Sequence, residues 1–459
     1  MNQGSSYNFD TLENDSDTKD HLSELPDGIM GHISTFLNLK EVIRTKMLSR
    51  TWRDRFIDMS NLVFDPTLVN IDLEDDQTLE SIPLPQKQEF IDRVDRLLQI
   101  FAINQYVSFT IWFPLGKQYT SNIDKWVNRA IGKECEKLDL ELKYATIEDE
   151  RYNFPFHILL SSKKSHLKCL SLCEVQFKPT REVVHRLNLL ESLTLVYVSM
   201  EASELEIIIS SCMNLEYLQL IDCELLTSWR IFNQDTRLKH LIVTPLVFVA
   251  NIELSIPSLE IFQFDGEIEN FTISRMNQLK TVDMSIEDIY PRGMGQLLDE
   301  LARNAPLLDT MLLSGHFDQL LSHAHNSNQT PRFNNLIHLE LTPEGDYGWN
   351  VIIGMLYKSP KLEAFVIKGY SPPIDEEPSW TNTQLVPTCI SSTLKIMRFD
   401  KFEGKDFEVE MIGSILKYAR VLKLMKIKVE ISNKKAKKKI IKKIKAFPIS
   451  SSEAHVSFC

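Results

Sequence analysis

The sequence predicts an α/β chain built in two parts: a small N-terminal three-helix unit, then a solenoid with parallel strands inside and helices outside. Three observations carry this. Residues 22–56 read as three short amphipathic helices, the hexapeptide L-x-x-L-x-L recurs from about Cys135 to Leu394, and helix-like and strand-like segments alternate to the end of the 459 residues. A period of this kind is the mark of stacked units that cannot bury their apolar side alone.

Length and composition set the frame. At 459 residues the chain is too long for one ordinary core, and 43% apolar with 25% charged residues suits a folded chain. With 51 Lys and Arg against 63 Asp and Glu the formal charge is −12. An acidic chain repels phosphate backbones, so nucleic acid is not an expected partner. The seven Cys form no short-spaced framework; they read as reduced thiols, which fits a cytoplasmic and/or nuclear address. Residues 1–19 are polar and acidic and read as a disordered leader without the apolar core of a signal peptide. Apolar runs such as Leu246–Ala250 fall short of the roughly 20 residues that span a bilayer, so no membrane is expected.

In the N-terminal unit Pro26 sits where a missing N–H is harmless, and Ile29, Ile33 and Phe36 make one apolar stripe. Asn38 with Glu41 has capping-box spacing ahead of Val42 and Ile43. Ser49 can cap a third helix in which Trp52 and Phe56 lie one turn apart, while Arg50, Arg53 and Arg55 face elsewhere. About thirty-five residues cannot bury enough surface to stand alone, so the unit must lean on a neighbour or a partner. LPDGI at Leu25–Ile29, followed by the run from Arg44 to Arg53, resembles the F-box of plant proteins, with Met30 and Met47 as volume-conserving departures. The resemblance places an F-box at 20–57. It implies docking on the SKP-type adaptor of SCF ubiquitin ligases, and through it a cullin, by Leu25, Pro26, Ile29, Ile33, Leu48 and Trp52.

Residues 58–134 start the solenoid. Phe90–Phe101 and Ile123–Ile131 read as helices with Val94, Leu97, Trp126 and Val127 inward, and Tyr106–Phe113 reads as a strand. FIDRVDRLLQI and IDKWVNRAI resemble the helices that follow the F-box in plant F-box proteins with leucine-rich repeats. The repeats proper occupy 135–370, with copies at Cys135, Leu167, Leu190, Leu215, Leu238, Leu259, Leu279, Leu308, Leu336 and Leu362 and a further one at Leu394. Successive starts are about 20 to 32 residues apart, overlapping the roughly 20–29 of leucine-rich repeats. Positions one, four and six point into a shared core. Where that family favours Asn or Cys, three residues after the last apolar position, only Cys223 obeys; Val175, Val198 and Leu246 stand elsewhere, then Glu267, Glu287, His316, Glu344 and Tyr370. Irregular turns are therefore expected. Residues 371–459, with Trp380, Val386-Pro387, Cys389, Phe402-Glu403-Gly404 and Glu410-Met411, resemble the plant FBD domain, which implies a C-terminal cap.

Other constellations read as structure. Cys169 and Cys173 on a strand lie about 13 Å apart, too far to share a zinc. His323 and His325 have no further ligand near in sequence, and Asp72, Glu74, Asp75 and Asp76 lack a calcium-loop pattern, so no metal or cofactor is expected. There is no G-x-S-x-G, Walker, H-E-x-x-H or G-x-G-x-x-G motif, so no catalytic residue is assigned. Eight lysines between Lys434 and Lys445 could form a nuclear-localisation tract or an anion-binding patch. With Ile440, Ile441 and Ile444 interleaved at helical spacing, they also fit the wet face of a capping helix.

These readings converge on a non-catalytic substrate-recognition subunit of an SCF-type ubiquitin ligase, holding a protein target of unknown identity through its repeats. The alternatives are a repeat scaffold acting without a ligase and a receptor for a small-molecule signal. In each unit positions three, five and seven leave the leucine core for the face that leucine-rich repeats, by resemblance, line as a concave sheet. That assigns substrate binding to Tyr217, Gln219, Ile221, His240, Ile242, Gln263, Asp283, His338, Glu340 and Arg398.

Overall fold

The computed structural model describes residues 24–26, 29, 32–33, 39–45, 60–71, 82–100, 105–143, 150–161, 165–223, 227–245, 248–286, 293–316, 331–344, 348–369 and 386–459. Among them, fifteen strands form one parallel sheet in strict chain order, from Asn61–Phe64 and Ser108–Trp112 to Leu424–Val429 and His455–Phe458. Each hexapeptide supplies one strand, and neighbouring copies pair in register: Leu193, Leu218, Leu241, Phe262 and Val282 lie side by side, as do Leu195, Leu220, Val243, Phe264 and Met284. All ten are buried. The leading leucines, such as Leu167, Leu190, Leu215, Leu238, Leu259 and Leu279, are buried too. At about 1.5–3 kcal/mol for each fully buried Leu, these stacked rows are the main source of cohesion, and no unit keeps its share without a neighbour.

The first element of the sheet is tied to the N-terminal unit. Leu39, in the helix Leu39–Thr45, joins the same core as Leu62 and Phe64, and Lys40 Nζ donates to Asn70 Oδ1 at 2.6 Å. The unit leans on the solenoid, as its small size requires. The helices expected after it span Leu84–Ile100 and Thr120–Gly132, locked by Trp126 Nε1 donating to Asp95 Oδ1 at 2.7 Å and Arg129 Nε to Tyr106 Oη at 3.0 Å.

Helices return the chain in most units, for example Ala202–Ser211, Gly293–Asn304, Gly348–Lys358 and Asp406–Tyr418. Three consecutive units differ. There the outer layer is a second parallel sheet, Ser228–Phe232, Val249–Ser255 and Ile268–Ile273, which buries Trp229, Ile231, Ile252, Leu254, Phe271 and Ile273. The leucines at 215, 238, 259 and 279 that bound these returns are 23, 21 and 20 residues apart, and the two shortest leave room for a strand rather than for three helical turns.

The turns are also more regular than the missing Asn suggests. Glu174, Tyr197 and Asp222 all adopt left-handed conformations, with φ of 55°, 53° and 50°, and each is followed by a buried residue, Val175, Val198 or Cys223. Glu174 N–H donates to Val196 O at 3.0 Å and Tyr197 N–H to Ile221 O at 2.9 Å. The next strand thus satisfies the turn backbone that an Asn would otherwise serve. Beyond Thr244 the turns diverge, with Gly315 at φ 128°, where a Cβ would come within 1.8 Å of Ile286 O.

Candidate docking surfaces

Two surfaces answer to the sequence. At the first, Leu25 and Ile33 are half-buried and Pro26 and Ile29 exposed. Ile29 N–H donates to Pro26 O at 2.9 Å, closing the first turn after the proline. Ile29 is 48% exposed, so a large apolar side chain is presented to solvent at the position assigned to the adaptor. Leu48 and Trp52 lie outside the described residues.

The second surface is the face of the long sheet that points away from the core. Strand alternation places Tyr217, Gln219, Ile221, His240, Ile242, Gln263, Asp283, His338 and Glu340 there, each half-buried, together with the exposed Arg398. In-register pairing sorts them into rows: Tyr217 beside His240, Ile261 and Thr281; Gln219 beside Ile242, Gln263 and Asp283; Ile221 beside Thr244. Tyr217 Oη donates to Gln219 Oε1 at 2.8 Å, and the Tyr217 and His240 rings lie 6.1 Å apart. Burial pushes the Tyr217 phenol above its ordinary pKa, which keeps it a neutral hydrogen-bonding group. Gln263 Nε2 donates to Asp283 Oδ2 at 3.2 Å.

The charged end of the strip is internally paired. Glu340 meets Lys368, and Arg398 lies 2.9 Å from Asp400, which raises the guanidinium pKa further. The middle of the strip, around Tyr217, Ile242 and Gln263, has instead an aromatic, an aliphatic and amide groups at its surface. That mixture suits a protein surface. The middle row also contains residues the strip as read from sequence omits: Asp139, Ser171 and Thr194 on one side, Leu312 and Val366 on the other. They occupy position five of their own hexapeptides, so the same alternation could have found them. Asp139 has its carboxyl pushed up by burial and partly held down by the Ser171 hydroxyl.

Thiol chemistry is disfavoured at these surfaces. Burial pushes Cys135, Cys173, Cys212 and Cys389 up to about 12, so each is a protonated thiol at neutral pH rather than a nucleophile or a metal-binding thiolate. Among the described residues no three His, Cys, Asp or Glu converge to hold a metal ion, and no helix is long and apolar enough to cross a membrane. His323, His325 and the acidic cluster from Asp72 to Asp76 lie outside the described residues.

Comparison with known proteins bears on both surfaces. The F-box domain family matches residues 22–64, and the At1g61320/AtMIF1 LRR domain family matches residues 106–457. The chain is 25% identical over 472 aligned positions to the F-box/LRR-repeat protein At5g38396 of Arabidopsis thaliana, covering 94% of this chain and 97% of that protein. It is 27% identical to the putative F-box/LRR-repeat protein At3g58880 of the same plant, over 76% of this chain and 77% of the relative. With the F-box/LRR-repeat protein At4g14096, also from Arabidopsis thaliana, it shares 26% identity over 77% and 74%. The repeat match takes in most of the tail compared above with the FBD domain, and the strands Ile396–Phe402, Leu424–Val429 and His455–Phe458 continue the same parallel sheet.

Proposed function

The chain belongs to the F-box/leucine-rich-repeat family, and from that premise we propose that it is the substrate-recognition subunit of an SCF-type ubiquitin ligase, working in the cytoplasm or nucleus. Its F-box, through Leu25, Pro26, Ile29, Ile33, Leu48 and Trp52, binds a SKP-type adaptor and through it a cullin. The open face of the sheet binds the target. Ubiquitin transfer is then chemistry of other subunits, and this chain contributes proximity, holding a target lysine where the charged conjugating enzyme can reach it.

The observation that carries the reading is the junction. Leu39 of the N-terminal unit is packed into the same core as the first sheet strand, so an adaptor bound at one end is held in a fixed relation to whatever binds the sheet. A flexible tether would lose that positioning. The test is to compare proteins captured from cells by the intact chain and by a variant carrying Leu25→Ala and Pro26→Ala. Adaptor and cullin should be captured only by the intact chain, and targets by both, more abundantly with the variant because they are no longer consumed. Capture of the same targets in equal amounts, with no adaptor in either case, would favour a scaffold acting without a ligase.

A further inference from the structure

Apart from both surfaces above, we propose that the helix Lys434–Lys445 is a docking site for a short acidic segment of a partner protein. Its apolar side is already used: Ile444 is buried, and Ile440, Ile441 and the following Phe447 pack against the core. Asn433 caps it, accepting from Lys435 N–H at 2.9 Å and Ala436 N–H at 3.2 Å. The lysines are left on the outside. Lys437 reaches Val429 O at 3.1 Å and Lys443 lies 3.6 Å from Asp406. Lys434, Lys435, Lys438, Lys439 and Lys442 are exposed and form no ion pair with any carboxylate among the described residues.

Several lysines elsewhere are placed differently. Lys168, Lys239, Lys280 and Lys395 each meet a glutamate one unit back. The lysine helix instead works against its own electrostatics. Lys434 and Lys435 stand in a first turn that has no acidic residue, where the helix dipole disfavours cations, and Lys434 with Lys438, Lys435 with Lys439 and Lys438 with Lys442 are like charges one turn apart. Repulsion that the fold tolerates and does not relieve marks a functional surface, and a bound anion relieves it.

The character of the anion follows from the rest of the chain. Residues 395–459 carry 17 Lys and Arg against 7 Asp and Glu, while the residues before them carry 34 against 56. A long nucleic acid or a flat anionic membrane would bring its phosphates against that acidic remainder as well as against the helix. A short acidic peptide segment meets only the basic end. The helix also has no aromatic residue to stack a base and no free apolar side to enter a bilayer.

The test uses the full chain and a variant with Lys435, Lys438, Lys439 and Lys442 all changed to Gln. Binding of a fluorescent peptide of mixed aspartate and glutamate is followed by anisotropy, beside a single-stranded oligothymidylate and phosphatidylserine vesicles. The expected result is peptide binding that weakens with salt and drops about tenfold or more in the Gln variant, is retained when the same four lysines become Arg, and raises the Tm of the unmodified chain and of the Arg variant but not of the Gln variant. The Gln variant alone should melt no lower than the parent. Equal peptide binding by parent and Gln variant would overturn the proposal, as would tighter binding of the oligonucleotide or the vesicles. A Gln variant melting several degrees lower would overturn it too, because the lysines would then be structural.

Discussion

Lys280 Nζ lies 2.7 Å from Glu260 Oε2, and the two residues occupy the second position of successive hexapeptides. The same cross-unit pair joins Lys168 to Glu136 at 2.9 Å, Lys239 to Glu216 at 2.8 Å and Lys395 to Glu363 at 2.6 Å. Opposite charges at one repeat position thus join these four pairs of neighbouring strands along the sheet margin. The Lys280 ammonium holds the Glu260 carboxyl below the usual carboxylate range, mainly by hydrogen bonding. The Lys280–Glu260 pair is exposed, so it is worth about 0.5 kcal/mol. Lys280→Ala should therefore lower stability only by about that amount. Lys280→Glu should cost more and recover in high salt, whereas Glu260→Lys combined with Lys280→Glu should restore the parent Tm. Melting curves at low and high salt check this.

A second expectation concerns Glu408. Its side chain is fully buried and accepts from Lys405 N–H at 2.8 Å and from Glu403 N–H at 3.2 Å, closing the loop at Gly404 that packs beneath Ile440 of the lysine helix. Burial pushes its carboxyl up to about 7, against the opposing pull of those N–H groups and of Lys405. Because the folded pKa is raised above the ordinary 4.5, the folded state holds the proton more tightly than the unfolded chain does. The resulting stability is present below about 4.5 and is lost as pH rises through about 7. A shift of this size corresponds to roughly 3–4 kcal/mol. Glu408→Gln should flatten the fall in Tm between pH 5 and 8 relative to the parent; parallel pH profiles for the two proteins would show that Glu408 does not titrate in this window.

The open face gives a third. Tyr217→Ala with Ile242→Asp removes the aromatic and charges the centre of the strip without touching the buried rows, so adaptor binding and Tm should stay near those of the parent. Target capture and target ubiquitination should fall by about tenfold or more, since an aromatic anchor is commonly worth over 1 kcal/mol. Undiminished ubiquitination would move the target site to the loops or to the C-terminal tail.

Much of this architecture is legible in the sequence because one side-chain position decides each feature. A leucine at position one, four or six has nowhere to go but the shared core, and alternation then fixes Tyr217, Ile242 and Gln263 on the other face. What escaped depends on space and on neighbours. IENFTI becomes an outer strand in the 20-residue unit from Leu259 to Leu279, which is short for a helix, whereas SWRIF lies in a 23-residue unit, as long as the helical one from Leu167 to Leu190, and extends the same outer sheet by pairing with Val249–Ser255. The repeated left-handed turn at Glu174, Tyr197 and Asp222 could not be read from residue type, since it rests on hydrogen bonds to the following strand. The Glu260–Lys280 pair is not legible from residue type, because Lys and Glu are ordinary strand-margin residues and only the parallel register brings the two together. For the F-box, Leu48 and Trp52 lie outside the described residues, and Ile29 is exposed at 48%.

Coupling of an adaptor to a target by this chain is tested by calorimetric titration of a SKP-type adaptor into the full chain and into a variant with Leu25→Ala and Pro26→Ala. Losing one half-buried anchor and the fixed entry to the first helix should cost about 2 kcal/mol or more, roughly thirtyfold in Kd, with the Tm of the solenoid unchanged. Equal affinity for the two proteins, or no binding by the unaltered chain, would contradict it.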